Sequence, residues 1–168
     1  SFTTDIIRLM IPLNCALYLQ TMINMKIVEL PINEISKIKP LWELLNKTHY
    51  ENSNNWKSHF AEQTFEKRFE KLKTDKNVLI LAAIVDDNII AYCFSVANDT
   101  SGEIASIFVG KEFRNQSLGK KLISKSIAWM KSKKIEKIVI GVAEGNEKVF
   151  PFYEGIGFKK SATVFKLQ

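Results

Sequence analysis

After Met25 the hydrophobic residues follow two alternating spacings, one typical of strands and one typical of amphipathic helices. Residues 78–85 are an unbroken apolar run, the pattern of a strand buried on both faces of a sheet. Apolar residues recur at helical spacing across 117–133, which predicts a long amphipathic helix. Pro40 lies inside the helical pattern at 32–49, where we expect a break or kink. The whole pattern predicts strands at 26–30, 78–85, 89–97, 103–109, 135–142 and 162–167, and helices at 32–49, 64–74, 117–133 and 149–154.

The connections between these elements predict the topology of the sheet. Short polar turns separate the strands at 78–85, 89–97 and 103–109, so we expect them to be antiparallel neighbours. The strand at 135–142 follows only after the helix at 117–133, and such a crossover favours parallel pairing with the strand at 103–109. The sequence therefore predicts an α/β fold, a single domain with a mixed, mostly antiparallel sheet of six to seven strands.

Residues 1–24 differ in pattern from the rest of the chain. They are apolar, but Arg8, Pro12 and Asn14 interrupt every run before it reaches the roughly 18 residues of a membrane span. A basic start and a small-residue cleavage site, the marks of a signal peptide, are not evident. We predict an apolar extension, native or added upstream, that buries its face against the body or a neighbouring chain, which leaves a homodimer open. The domain itself is predicted to cover residues 25–168.

Composition narrows the class of protein. The 168 residues suit one domain with a single core. Two cysteines, Cys15 and Cys93, and two histidines are too few for a disulfide framework or a four-ligand zinc site. We therefore predict a protein without a metal in a reducing compartment, the cytoplasm.

The net charge of +6 is distributed unevenly. Residues 111–168 hold 13 lysines and arginines against 5 glutamates, whereas residues 1–110 hold 11 against 13 acidic residues. A basic portion of this kind suggests an anionic ligand, although a solvated lysine-rich surface gives the same count. The lysines of 117–134 lack interleaved aromatic residues and match no DNA-reading motif, so we predict no nucleic-acid partner.

The turn that precedes the helix at 117–133 is a candidate phosphate site. It places a helix N-terminus at the carboxyl end of a buried strand, where free backbone N–H groups can bind a phosphate. Gly119 permits close approach, Arg114 and Lys120 add positive charge, and Ser117 is a candidate N-cap. The glycine–lysine–serine pattern of a Walker loop is missing. Alone, this stretch is equally typical of an ordinary serine-capped helix.

Motifs on both sides of this turn extend the pattern: Glu103-Ile104-Ala105-Ser106-Ile107-Phe108-Val109, Arg114, Ser117-Leu118-Gly119, Asn146 and Phe152-Tyr153-Glu154-Gly155-Ile156-Gly157-Phe158. Together these residues resemble the GNAT family of N-acetyltransferases. The resemblance covers about residues 26–168 and is specific from 103 to 158. The family has glycine where this chain has Ser117, a substitution that would be strained if the position needs a positive φ. The resemblance implies a sheet splayed in a V with helices on both faces.

The resemblance also implies where acetyl-CoA binds. The pantetheine arm would pair with the backbone of the strand at 103–109 in the gap of the V, and Asn146 would touch the arm. The pyrophosphate would rest on N–H groups of the turn at 115–120. The implied contacts are Ile107, Phe108, Val109, Arg114, Asn115, Gln116, Ser117, Leu118, Gly119, Lys120, Asn146 and Tyr153.

By the same resemblance, Tyr153 protonates the departing thiolate, a role that suits a phenol; a plain core aromatic is the alternative. Glu103 corresponds to the catalytic glutamate of some members, while others use another carboxylate or a water chain. We interpret His49 and His59 as loop residues near the acceptor wall, although a histidine there can relay a proton. Cys93 is expected to be a buried small hydrophobe. Tyr92 and Ser95 are further wall candidates.

The function implied is transfer of an acetyl group from acetyl-CoA directly to a primary amine of a small molecule or protein. The alternative is a non-catalytic module that binds acyl-CoA. No membrane partner is expected.

Overall fold

Five strands form one sheet in which the order in space follows the order in the chain. The computed structural model describes residues 24–70 and 77–167. Strands β1 to β4 are antiparallel neighbours, and β5 is parallel to β4, as the lengths of the connections predict. The strands are β1 (Lys26–Leu30), β2 (Val78–Val85), β3 (Asn88–Ala97), β4 (Ser101–Val109) and β5 (Lys137–Ile140).

Helices lie on both faces of this sheet. Pro40 occupies the first turn of α1, where a missing N–H costs no hydrogen bond, so it starts the helix instead of kinking it. The predicted helix at 32–49 is therefore a 3-10 turn, Ile32–Ile38, followed by α1. Further 3-10 turns are Lys111–Phe113 and Glu147–Val149. The helices are α1 (Lys39–Asn52), α2 (Lys57–Glu62), α3 (Phe65–Phe69), α4 (Leu118–Ser132) and α5 (Phe150–Glu154).

Each face of the sheet carries its own hydrophobic cluster. Leu122, Ile123 and Met130 of α4 are fully buried against one face. On the other face, the rings of Trp42 and Phe69 meet edge to face with centroids 6.1 Å apart, an arrangement that aromatic quadrupoles favour. These two clusters fix α4 and α1 on opposite sides of the strands.

The sheet opens between β4 and β5. Parallel pairing runs from Ser101 opposite Lys137 to Ile104 opposite Ile140 and ends there, although β4 continues to Val109. At the same point β4 carries a β-bulge. Ile104 and Ser106 pair with successive residues of β3, and Ala105 between them has no partner there. The V that the family resemblance implied is the gap beyond Ile104.

Three sequence expectations about the strands differ from the structure. The sheet has five strands among the described residues, not six to seven. Residues 162–167 form no strand: Phe165 is 92% exposed and no ladder pairs with it, because strand propensity needs a partner edge and a burying face. The strand expected at 135–142 is only Lys137–Ile140. The predicted extension 1–24, apart from Asn24, and the end of the helix at 64–74 lie outside the described residues.

Ending the chain after Lys160 should change the free energy of unfolding by no more than about 1 kcal/mol, because the apolar side chains removed are exposed. The truncation also removes a surface contact, in which Lys166 Nζ lies 5.9 Å from the centroid of the Trp56 ring. The free energy of this contact is included in that margin of about 1 kcal/mol. Urea unfolding followed by circular dichroism measures the change. Phe69→Ala is the matched contrast and should cost about 3–5 kcal/mol, since Phe69 is fully buried. A truncation as costly as Phe69→Ala would contradict the exposed tail.

Candidate active site

The gap between β4 and β5 is a cavity of about 580 Å³. Residues 104–109 of β4 form one side, and residues 140–143, which continue from β5, form the other. On the side away from β3, the backbone of β4 beyond Ile104 faces the gap and has no strand partner. Ala105 O and Val109 O accept side-chain hydrogen bonds, and the other backbone groups that face the gap remain available to a ligand. The rest of the lining is Trp42, Leu45, Asn46, Thr48, His49, His59, Phe60, Gln63, Arg68, Arg114, Asn146, Lys148, Val149 and Tyr153.

One end of the gap leads to the turn before α4. Asn115 and Ser117 both adopt left-handed backbone, with φ of 62° and 59°, which is uncommon for residues other than glycine. Ser117 occupies the N-cap position of α4, as the sequence predicts. Its side chain makes no capping hydrogen bond, however, so the expectation that serine caps the helix is wrong. The first N–H groups of α4 have no partners inside the helix and can bind an anion.

Close packing and side-chain bonds fix this turn beside the open end of β4. A Cβ on Gly119 would lie 3.2 Å from Phe152 Cζ and 3.7 Å from Val109 Cγ2, so glycine brings the turn close to β4. Arg114 Nε donates to Val109 O at 3.0 Å, and its guanidinium lies 5.5 Å from the Phe108 ring centroid. Arg114 therefore lines the cavity and also stiffens the turn.

Tyr153 reaches the cavity from α5. Its ring packs at steep angles against Phe152 and Phe158, with centroids 5.2 and 6.2 Å away. Burial raises the pKa of Tyr153 to about 12. The phenol is therefore protonated throughout the neutral range and can donate a proton into the cavity.

Two residues of the loop after β5, Glu144 and Asn146, hold the C-terminal end of α1, and we call this pair the helix clamp. Asn146 is 6% exposed. Its Oδ1 accepts a hydrogen bond from Asn52 Nδ2 at 2.8 Å, and its Nδ2 lies 3.0 Å from His49 Nδ1. These contacts leave one N–H and one lone pair of the Asn146 amide for a ligand in the cavity.

Glu144 binds the turn that follows α1. Its carboxylate accepts from Ser53 Oγ at 2.5 Å and from the Asn54 N–H at 3.1 Å, and the Ser53 hydrogen bond lowers the pKa of Glu144. Gly145, with φ of +84°, sits so close that a Cβ there would lie 2.1 Å from Asn52 O. No other residue fits this position without moving the backbone. The clamp thus fixes α1 as a wall of the cavity.

His49 is part of this arrangement. Because Asn146 Oδ1 is engaged by Asn52, Asn146 presents Nδ2, and His49 Nδ1 serves as its acceptor. That hydrogen bond assigns the neutral ring its proton on Nε2. Burial lowers the pKa of His49, which also favours the neutral form. The interpretation of His49 and His59 as loop residues is wrong: they lie in α1 and α2, and both line the cavity.

The structure separates the remaining candidates. Glu103 is exposed, pairs with Val96 and Val139 in the sheet register, and is outside the cavity lining. Tyr92 and Ser95 are fully buried and are not wall residues; the Tyr92 hydroxyl bonds Ser106 Oγ at 2.7 Å. Cys93 is buried, as expected. Sequence reasoning named Asn146 but missed its contacts with α1, and it missed Arg68, Lys148 and Glu144. Arg68 and Glu144 bond residues that are distant in sequence, and no local motif marks any of the three.

A model described as the acetyltransferase (GNAT) family matches residues 38–158. The chain belongs to this family. The resemblance carried by the sequence motifs is therefore confirmed. The matched region of this GNAT chain spans α1 through α5, which is every element that borders the cavity. No curated protein matches the sequence.

Solved GNAT structures share the fold. A protein from Pyrococcus furiosus named as an acetyl transferase is 22% identical, with a TM-score of 0.70 over 86% of this chain and 99% of its own. Ribosomal-protein-alanine N-acetyltransferase from Brucella melitensis biovar Abortus 2308 is 17% identical, with a TM-score of 0.62 over 85% and 99%. Aminoglycoside N-acetyltransferase AAC(6')-Iy in complex with CoA is 14% identical, with a TM-score of 0.63 over 85% and 98%. These likenesses show a common fold alone.

None of the described helices of this GNAT chain has the length and apolar character of a membrane span. Within residues 24–70 and 77–167, no three His, Cys, Asp or Glu side chains are grouped to hold a metal ion. The cytoplasmic location and the homodimer stay predictions.

Ser117→Gly should raise the free energy of unfolding by about 0.5–1 kcal/mol, because glycine adopts left-handed backbone without the Cβ clash. The serine side chain makes no capping bond that would be lost. Thermal unfolding should move upward by about 1–4 °C for a chain of this size. Ser124→Gly, the same change inside α4, should instead cost about 0.5 kcal/mol, the difference between the helix propensities of the two residues. A loss of stability in Ser117→Gly would contradict the strained turn.

Proposed function

We propose that this chain transfers an acetyl group from acetyl-CoA directly to a primary amine. The observation that carries the proposal is the open edge of β4, which has an anion-binding turn at one end and a protonated Tyr153 on its wall. Membership of the GNAT family supports it. The acceptor belongs to small molecules or to proteins, the two kinds of substrate named among the solved relatives.

The residues of the gap suit the shape and charge of the donor. Residues 107–109 of β4 would pair with the amide groups of the pantetheine arm as an added strand does. The first turn of α4, which includes Lys120, would hold the pyrophosphate. Arg114 Nε already occupies Val109 O, so the arm would bond the remaining backbone groups of this segment or displace the arginine. Asn146 would supply the free N–H of its amide.

Bound acetyl-CoA supplies an acetyl group activated as a thioester. Backbone N–H groups at residues 107–109 would stabilise negative charge as it develops on the carbonyl oxygen. As the new C–N bond forms and the C–S bond breaks, Tyr153 would donate its proton to sulfur. The amine proton would leave to water; Glu103, exposed and outside the lining, would accept it only through intervening water. The neutral His49 would offer its Nε2–H as a donor.

The position of Glu103 also favours a second candidate function, a module that binds acyl-CoA without turnover. Two measurements distinguish the candidates. Acetyl-CoA at 100 times its Kd should stabilise the chain by about 2.7 kcal/mol under either function, which thermal shift detects. Release of free CoA thiol upon addition of a panel of primary amines is expected of the transferase alone. Binding without thiol release from any amine would identify the binding module.

Tyr153→Phe should lower kcat by about 10²- to 10⁴-fold, the usual contribution of a general acid, with little change in the Kd of acetyl-CoA. Because the pKa of Tyr153 is about 12, the wild type should keep its proton donor up to pH 10 and show no alkaline loss from this group. Tyr50→Phe, the same change at an exposed tyrosine outside the cavity lining, serves as the control. Unchanged turnover in Tyr153→Phe would remove Tyr153 from the acid role.

Gly119→Asp should weaken acetyl-CoA binding at least about tenfold, since it puts a carboxylate at the helix end expected to hold the pyrophosphate. Gly119→Ala separates charge from bulk: it introduces only a Cβ near the half-exposed Phe152 ring and should cost much less affinity. Isothermal titration calorimetry measures both. Equal affinities for the wild type and Gly119→Asp would refute the assignment of the turn.

A further inference from the structure

The cavity has an uneven set of charged side chains. Arg68, Arg114 and Lys148 line it, and none of its described lining residues is an aspartate or glutamate. A polycationic acceptor would need carboxylates to replace its water of hydration, and here it would meet positive charge instead. Arg114 and Lys148 lie toward the turn before α4 and toward α5, the region proposed for the donor. Arg68 is the charged side chain on the opposite, α1–α3 side.

Arg68 is fixed in position by the bulge of β4. Its Nη2 donates to Ala105 O at 3.1 Å, the carbonyl of the residue that the β3 register passes over. A guanidinium has five N–H groups, so four remain after this bond. Among the described residues, no carboxylate lies within ion-pair distance of Arg68. The bulge therefore fixes the guanidinium of Arg68 at the cavity. The remaining N–H groups of this planar group match the shape of a carboxylate.

The spacing limits the acceptor that this arginine can hold. Ala105 precedes Ile107 by two residues, about 7 Å along a strand, and Ile107 begins the segment proposed to hold the thioester arm. An acceptor that contacts Arg68 and also attacks the thioester therefore has its carboxylate only a few bonds from its nitrogen. The wall on the same side of the cavity is mixed: Trp42, Leu45 and Phe60 are apolar, and polar side chains lie among them. The polar ones are Asn46, Thr48, His49, His59 and Gln63. Such a wall suits a small acceptor that has both apolar and polar atoms.

Positive charge in the cavity also helps the nucleophile. An amine must be neutral to attack, and nearby cations disfavour the ammonium form. Because the acceptor carboxylate would neutralise Arg68, this effect would come from Arg114 and Lys148, which also line the cavity. They would favour loss of the amine proton to water without a carboxylate base in the lining. This agrees with the position of Glu103 outside the cavity.

We infer that the acceptor is a small amine that carries a carboxylate near its nitrogen, as an α-amino acid does, and that Arg68 determines this specificity. The inference rests on the proposed transferase function and names its substrate class. It separates this chain from relatives named for aminoglycosides, which are polycationic amines.

The test compares matched acceptors. L-Phenylalanine, L-leucine and L-methionine are each assayed against the corresponding α-carboxamide, with sisomicin as the polycationic amine. The two members of each pair differ by one negative charge. The α-amino group of the amide is less basic than that of the acid, so more of it is neutral and intrinsic reactivity favours the amide. The wild type should prefer at least one acid by about tenfold in kcat/KM, the gain expected of a charge-assisted pair.

Variants of α3 assign the preference to one side chain. Arg68→Gln keeps a donor for Ala105 O but removes the charge, and should abolish the preference for the acid. Arg68→Lys should retain part of it, since lysine keeps the charge without the fork. Lys67→Gln removes one positive charge from the same helix outside the cavity lining, and should retain all of it. Thermal unfolding confirms that each variant is folded.

Binding and turnover are measured separately so that the two proposals fail differently. Calorimetry with the CoA-loaded protein should give tighter binding of an acid than of its amide, lost in Arg68→Gln, even if no thiol is released; absent turnover would then refute the transferase alone. Any one of four results would overturn the inference: equal binding of acid and amide, a preference for sisomicin, no binding of any acid, or a preference for the acid that is unchanged in Arg68→Gln.

Discussion

The end of parallel pairing at Ile104 and Ile140 is the constraint on which the rest of the site depends. Beyond that point β4 has an edge without a strand partner, and buried backbone groups require hydrogen bonds. Continued pairing would close the cavity and leave no room for an extended ligand. Three features matter only because of this opening: the bulge at Ala105, the strained turn before α4 and the position of Tyr153. Each of them places a different chemical group along the open edge of β4.

Two separate devices keep the opening from collapsing. On the α1 side, the helix clamp ties the loop after β5 to the end of a helix packed against the sheet, so the wall opposite β4 has a fixed position. On the α3 side, Arg68 bonds the bulge carbonyl. Both devices use polar bonds at the cavity and apolar packing behind it. The site therefore combines a rigid frame with side chains that keep unused donors directed at the gap.

The sequence allowed the central strands and the long helix to be predicted, because apolar periodicity is a local signal. The helix predicted at 32–49 includes His49, whereas His59 lies in α2, a short helix whose polar sequence looks like a loop. The number of strands was overstated: residues 162–167 have strand propensity, but nothing local reveals the absence of a pairing edge. Ser117 was expected at the start of α4 and lies there, whereas its left-handed backbone became visible only from the turn itself.

The helix clamp also has a consequence for the order in which the molecule assembles. Its hydrogen bonds join residues 89 to 97 positions apart, whereas the hairpin of β2 and β3 closes over a two-residue turn. Closing a long loop costs chain entropy that only a preformed sheet offsets, so α1 is expected to bind the loop after β5 only when the strands have paired. Contacts made that late act mainly on the rate of unfolding. The helix clamp, which fixes one wall of the cavity, is therefore also expected to slow the unfolding of the chain.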